Sequence, residues 1–250
     1  MSPQFCHPMN IFLISRLLFS FSDEPLTHKQ VAFMTLLQLV GLSVYQPNLA
    51  LAAMTISLIV FNSLFYFLER KGDRIYALRL LSLLVYAVLF SVFFSPWTNL
   101  DFNRGLLRAL QGLDQYSLLI TLAGRIDWLE SGTVLMGLLL VLNEANLLVR
   151  YLFRVFDLIP QKQDESSKEV VIDRREYNAG RVIGMLERAI IYIAVLNNQF
   201  SAIGLIVAAK GFARFRQLEE RRFAEYVLIG TLLSALLAVL AALAVMALLP

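Results

Sequence analysis

The chain reads as an all-α, polytopic transmembrane helical bundle. Apolar residues fill 58% of its 250 positions and charged residues only 16%, against about 25% charged in soluble domains. Mean hydropathy is +0.65. Apolar runs close to the roughly 20 residues that cross a bilayer recur along the chain. The same composition excludes a disordered chain. The lone cysteine, Cys6, excludes a disulfide-stapled secreted fold.

Each element follows from local pattern. No signal peptide is expected, because the first fifteen residues lack a basic leader and no small-residue cleavage site follows. Residues 1–30 read as a cytoplasmic or interfacial segment. Within it, 9–21 (MNIFLISRLLFSF) is too short to span, is interrupted by Arg16, and suits a helix lying at the interface. Residues 31–156 hold transmembrane helices 1–4. The first span, about 31–46, ends at the Pro47-Asn48 turn. The second, about 49–68, ends in aromatics and is followed by a basic turn from Glu69 to Arg74. The third, about 76–95, stops at Ser95-Pro96-Trp97, and Trp97 suits a membrane–water boundary. An external segment near 102–124 sets Arg104, Arg108, Gln111 and Gln115 opposite Leu106, Leu107, Leu110 and Leu113, an amphipathic pattern. The fourth span is about 132–151.

Residues 157–179, with Pro160, QKQDESSKE and DRRE, read as an exposed cytoplasmic linker. Residues 180–250 read as a helical hairpin and a final span, about 225–248. A single helix over 180–215 would be about 54 Å long and would bury Asn197, Asn198 and Gln199 at mid-membrane. Two arms, 180–196 and 199–215, are about 25 Å each, slightly short for a roughly 30 Å core.

Charge supports the hairpin. It gathers Arg70, Lys71, Arg74, Arg150, Arg154 and a basic cluster of Arg174, Arg175, Arg181, Arg214, Arg216, Arg221 and Arg222 on one side. The other side keeps Arg104, Arg108 and Arg125. By the positive-inside rule the expectation is about seven crossings, with the N-terminus cytoplasmic and the C-terminus external. The net charge of +3 is therefore read as orientation, with no nucleic-acid partner.

The hairpin predicts a buried polar layer. Glu187 lies eleven residues before Asn198 and Lys210 twelve after, so antiparallel arms bring them to one depth. Glu144, flanked by Asn143 and Asn146, reaches a similar level, as do Arg188 and, slightly shallower, Arg79. Such charges are costly in a bilayer and should face inward and pair. Three readings stay open: a register-setting network, a polar cavity for a ligand or ion, or snorkelling to the interface. Gly180, Gly184, Gly204, Ala208, Gly211, Gly230 and Ser234 are expected to let helices approach, mainly within the chain. His7 and His28 both precede the first span, and no zinc or phosphate-loop motif occurs. No catalytic residue, metal or cofactor is proposed.

GRVIGMLERAIIYIAV (180–195), AAKGFARF (208–215), EYVLIGTLLS (225–234) and NEANLLVRYLF (143–153) together carry a resemblance. Residues 143–247 are similar to the C-terminal region of an uncharacterised family of bacterial multi-span inner-membrane proteins, a domain of unknown function. The motif is Gly180, Arg181, Gly184, Glu187 and Arg188 in order, then Lys210 and Arg214. Many members open with a short helix carrying a His and an Asp, and the first half here has no equivalent. The resemblance implies a bacterial inner membrane and marks Glu187, Arg188 and Lys210 as recurring together. The functional expectation is a non-enzymatic scaffold, partner-binding or signalling component. It would sit in the lipid bilayer, with a protein partner or second copy on its cytoplasmic face. The alternative is a small transporter or channel using Glu144, Glu187 and Lys210.

Overall fold

A computed structural model describes residues 3–18, 24–71, 74–95, 98, 100–105, 127–157, 174–213 and 221–249, with the backbone alone at 3, 174–179 and 221–223. The described residues are helical, with one isolated bridge between Tyr45 and Phe102. In chain order the helices are α1 (Pro3–Arg16), α2 (His28–Leu42), α3 (Leu49–Lys71), α4 (Ile75–Phe93) and α5 (Trp128–Leu139). A π-helical segment (Leu140–Glu144) follows, then α6 (Ala145–Val155), α7 (Arg174–Leu196), α8 (Ser201–Ala213) and α9 (Arg221–Leu248).

Helix starts follow local chemistry. Thr27 and Gln30 form a reciprocal capping box at α2. Asn48 accepts from Leu51 N–H at 2.7 Å and opens α3 just after Pro47. Asp127 accepts from the amides of Leu129 and Glu130 and opens α5.

Among the described residues, four helices are long and apolar enough to cross a membrane: Leu49–Lys71, Ile75–Phe93, the continuous Trp128–Val155 and Ala224–Leu248. The expected count of about seven is not supported. The helix at the first expected span, α2, has 15 residues and reaches about 22 Å. The second hairpin arm, α8, has 13 residues and reaches about 20 Å. The first arm, α7, is long enough at 23 residues but carries Arg174, Arg175, Glu176, Arg181, Glu187 and Arg188. It also begins at Arg174, inside the expected linker. The linker residues 158–173 and the amphipathic residues 106–124 lie outside the described residues.

The chain forms two compact units, residues 1–139 and 140–248. In the first, α1 packs against α2, α4 and α5. Its residues Cys6, Met9, Asn10, Phe12, Leu13, Ser15 and Arg16 are all buried, and its polar residues find partners on neighbouring helices. It runs antiparallel to α2, since Gln4 meets Tyr45 and Ser15 meets Gln38. The closest approach is at Gly41, where an added Cβ would overlap the Ile11 side chain.

In the second unit, α7 packs on α9 and on the π segment, α6 packs on α9, and α8 folds back on α7. The expected turn is present. Asn198 takes φ 57°, a left-handed conformation that asparagine tolerates at a helix end. Its N–H bonds to Val195 O, and that of Gln199 to Ala194 O at 2.8 Å.

The outward faces are apolar. Leu81, Leu84, Val88 and Val92 form one stripe on α4, and Leu228, Leu232, Leu236, Leu240 and Leu243 another on α9. The inside is polar: Arg16, Glu69, Arg79, Glu144, Arg181 and Arg188 are all buried. Soluble proteins almost never bury so many charges while exposing leucine stripes; a bilayer makes both favourable.

Candidate functional site

The polar interior divides between the two units. In the first, α3 and α4 form a tight hairpin, and Glu69 lies near the end of one helix and Arg79 near the start of the other. Arg79 Nε donates to Glu69 Oε1 at 3.1 Å, with the two side chains 0% and 6% exposed. Arg79 Nη2 donates to Glu24 O at 2.9 Å, and Leu26 N–H to Glu69 Oε2 at 3.3 Å. Arg16, at the end of α1, donates to Ser82 Oγ at 2.6 Å and to Arg79 O at 2.7 Å. Its guanidinium also lies 5.2 Å from the Phe12 ring centroid, a cation–π distance. Arg79 was expected beside Glu144 and Glu187; the structure instead engages it with Glu69, across its own hairpin.

A second chain of hydrogen bonds crosses the middle of this unit. Tyr86 donates to Asn62 Oδ1 at 2.6 Å, and Asn62 Nδ2 donates to Thr35 Oγ1 and to Gln38 Oε1. Gln38 Nε2 donates to Ser15 Oγ, which donates to Phe12 O. The chain thus ends on a backbone carbonyl and ties four helices together. Near the opposite end of α1, Tyr45 stacks on Phe102 with centroids 5.0 Å apart and donates to Gln4 O at 2.9 Å. Burial pushes its hydroxyl pKa up, so it remains a donor.

The second unit holds the rest of the expected layer. Lys210 Nζ bonds Glu187 Oε2 at 2.5 Å, joining the two hairpin arms at the depth that counting from Asn198 predicts. Arg188 points the other way, into the unit. It donates through Nε to Val141 O at 2.9 Å, through Nη1 to Ser234 Oγ at 3.1 Å and through Nη2 to Leu142 O at 3.5 Å. Both carbonyls belong to the π segment. A π turn closes i→i+5, and its junction with α-helix leaves carbonyl capacity outside the regular ladder. A forked guanidinium is well shaped to satisfy it.

The π segment also carries the expected polar trio. Asn143 Nδ2 donates to Glu144 Oε1 at 2.7 Å, and Asn143 and Glu144 are 0% and 5% exposed. Asn146 is 9% exposed, and its Nδ2 has no acceptor among the described residues. Arg181, expected on the exposed basic face, is buried. It sits seven residues before Arg188, so both share one inward face of α7. Arg174, Arg175, Arg221 and Arg222 are on helical backbone, and Arg214 and Arg216 lie outside the described residues.

The packing glycines match expectation only in part. Gly184 has only ordinary contact room beside Arg188, and Gly204 faces open space. The close approaches are at Gly41 and at Gly230, where an added Cβ would lie 2.9 Å from Phe153 Cζ. Among the described residues no cluster of three or more metal-ligating side chains occurs.

Sequence reasoning missed the roles of Glu69 and Arg16, the Gln38–Asn62–Tyr86 chain, the π segment and the bond from Arg188 to Ser234. Glu69 could have been found. It lies four residues before Asp73 and Arg79 six after, the same hairpin count that paired Glu187 with Lys210. No family model, curated protein or solved structure matches the chain.

Proposed function

We propose that the protein is a non-enzymatic component of the bacterial inner membrane that holds a protein partner or a second copy of itself. The observation that carries this reading is how the interior charges are spent. Arg188 holds the π segment and Ser234, Lys210 holds Glu187, and Arg79 holds Glu69. Each joins one stretch of helix to another, as a register-setting network does. Besides the leucine stripe of α9, the second unit leaves an apolar face on α8, none of whose residues is buried; Leu205 is 72% and Phe212 80% exposed. The test is a photo-crosslinking amino acid at Leu205 or Phe212 in cells. A discrete protein adduct is expected at one of them. Lipid-sized adducts alone at both would sink the reading.

Orientation follows from charge. The turn holding Arg70, Lys71 and Arg74 is assigned to the cytoplasm. Because α1 runs antiparallel to α2, its first turn then faces outward in this reading, whereas charge along the sequence alone places the N-terminus in the cytoplasm. In the second unit, α6 and α9 are antiparallel: Phe153 meets Tyr226, while Val141 and Ser234 share Arg188. With the linker cytoplasmic, the C-terminus of α9 points outward. The likeness of residues 143–247 to a bacterial family supports the inner membrane as the location.

One observation favours a transporter or channel as the second reading. Asn143, Glu144 and Asn146 sit on or beside a π segment, a feature found often at functional sites, and the Asn146 amide nitrogen lacks an acceptor among the described residues. That reading requires solute or ion flux in proteoliposomes that Glu144→Gln abolishes. Flux absent from the wild-type protein would remove it.

A further inference from the structure

Within the second unit, α8 is weakly anchored. It folds back on α7, yet none of its residues is buried. Gly204, Leu205, Ala208 and Phe212 lie on its exposed outer face. A Cβ added at Gly204 or at Gly211 would meet no atom within 4 Å, so neither glycine marks a close helix contact. Among the described residues, the bond from Lys210 Nζ to Glu187 Oε2 is the only side-chain hydrogen bond or ion pair that α8 makes. Lys210 stands nine residues beyond Ser201, about 14 Å along the helix. At its other end α8 leaves a turn that is firm on the α7 side. There the amides of Asn198 and Gln199 bond to Val195 O at 2.9 Å and to Ala194 O at 2.8 Å. With Asn198 at φ 57°, these bonds make a Schellman ending. Asn197 Nδ2 adds a bond to Ile193 O at 2.8 Å. The α8 side is looser: Ala202 N–H to Gln199 O and Ile203 N–H to Phe200 O are each 3.2 Å, and Gln199 and Phe200 are exposed.

We propose that α8 is a strap, hinged at Gln199 and Phe200 and fastened near its far end by the Lys210–Glu187 clasp, whose release uncovers the flank of α7 beneath it. Lipid supplies the reason. Among acyl chains, apolar side chains gain little by meeting one another, and helices stay together through close packing and polar bonds. Close packing is what α8 lacks, so the clasp carries its docking. Each charge of the clasp also needs the other, because an unpaired charge among acyl chains is costly. With a neutral side chain at 187, Lys210 is left to reach for the interface, which draws that end of α8 away. The neighbouring Arg188 offers no such release. It is 4% exposed and bonded to three acceptors on two elements, whereas the Glu187 and Lys210 side chains are 16% and 19% exposed. The strap rests on the proposed membrane location and is independent of whether a partner binds α8.

The test follows the two ends of α8 separately, in the full-length protein in lipid nanodiscs. One spin-labelled cysteine replaces Leu236 on α9. The second replaces either Phe212, beside the clasp, or Leu205, nearer the hinge; all three positions are exposed. The native Cys6 is 2% exposed and stays unlabelled. Pulsed dipolar spectroscopy is expected to give one main distance for each pair when the clasp is intact. Lys210→Met and Glu187→Gln are each expected to shift or split the distance to Phe212 more than the distance to Leu205, as a swing about the hinge requires. Exchanging the charges, Glu187→Lys with Lys210→Glu, is expected to bring back the original distance. Unchanged distances to Phe212 in both single variants overturn the strap. So do equal shifts at Leu205 and Phe212, or a charge exchange that stays shifted. Should Lys210→Met fail to fold, Glu187→Gln decides between the same outcomes. Failure of the protein to enter nanodiscs refutes the membrane location, and the strap with it.

Discussion

Neighbouring residues on α7 do different work because they point in different directions. Glu187 faces α8 and pairs with Lys210. Arg188, one residue and about 100° further round the helix, faces the π segment. The Glu187–Lys210 side chains are only 16% and 19% exposed, so solvent screens the pair weakly. A double-mutant cycle with Glu187→Gln and Lys210→Met should give a coupling energy of about 1–3 kcal/mol, read by thermal unfolding in detergent. Additive losses would show the contact to be energetically idle. Glu69 and Arg79 are more deeply buried, and removing one partner strands the other charge. Arg79→Met should therefore cost about 3–5 kcal/mol. The paired replacement Glu69→Leu with Arg79→Met should recover part of it, by the same assay.

At the scale of helices, close contact is decided by what stands opposite a glycine. Gly41 faces Ile11 with no room for a methyl group, whereas Gly204 faces open space. Gly41→Ala should cost about 1–3 kcal/mol, and Ile11→Ala added to it should cost less than the two losses summed. Gly204→Ala should stay within about 0.5 kcal/mol of wild type. Scanning calorimetry of the four proteins separates these outcomes, and an equal loss at Gly204 would contradict the packing described. The hairpin turn was legible from Asn197-Asn198, because two polar residues between apolar arms can be satisfied only at a boundary. The burial of α1 was not legible. Arg16 in an apolar stretch looks like a snorkelling residue until Ser82 and the Arg79 carbonyl come within reach of it.

For the whole molecule the decisive pattern is apolar outside and charged inside. It makes the membrane the solvent for α3, α4, α5–α6 and α9. A single cysteine replacing Gln46 should react with an impermeant maleimide from outside intact cells. A cysteine replacing Lys71 should react only after permeabilisation. Agreement between Gln46 and Lys71 would contradict α3 as a span.

Composition and periodicity determined that the chain is helical and carries helices long and apolar enough to cross a membrane. Counting residues from a turn was enough to match Glu187 with Lys210. These are local properties: a span needs only length and hydropathy, and a hairpin partner needs only a constant rise per residue. Tertiary structure alone decided which charges meet across longer separations. It buried α1, engaged Arg79 with Glu69, turned Arg181 inward and set Arg188 on a π segment that no hydropathy pattern announces. The reason is that rotation of a helix about its axis, and irregularity in its hydrogen-bond ladder, are fixed by the neighbours that pack against it. The charges that low composition made conspicuous therefore acquired their roles only once the helices were in place.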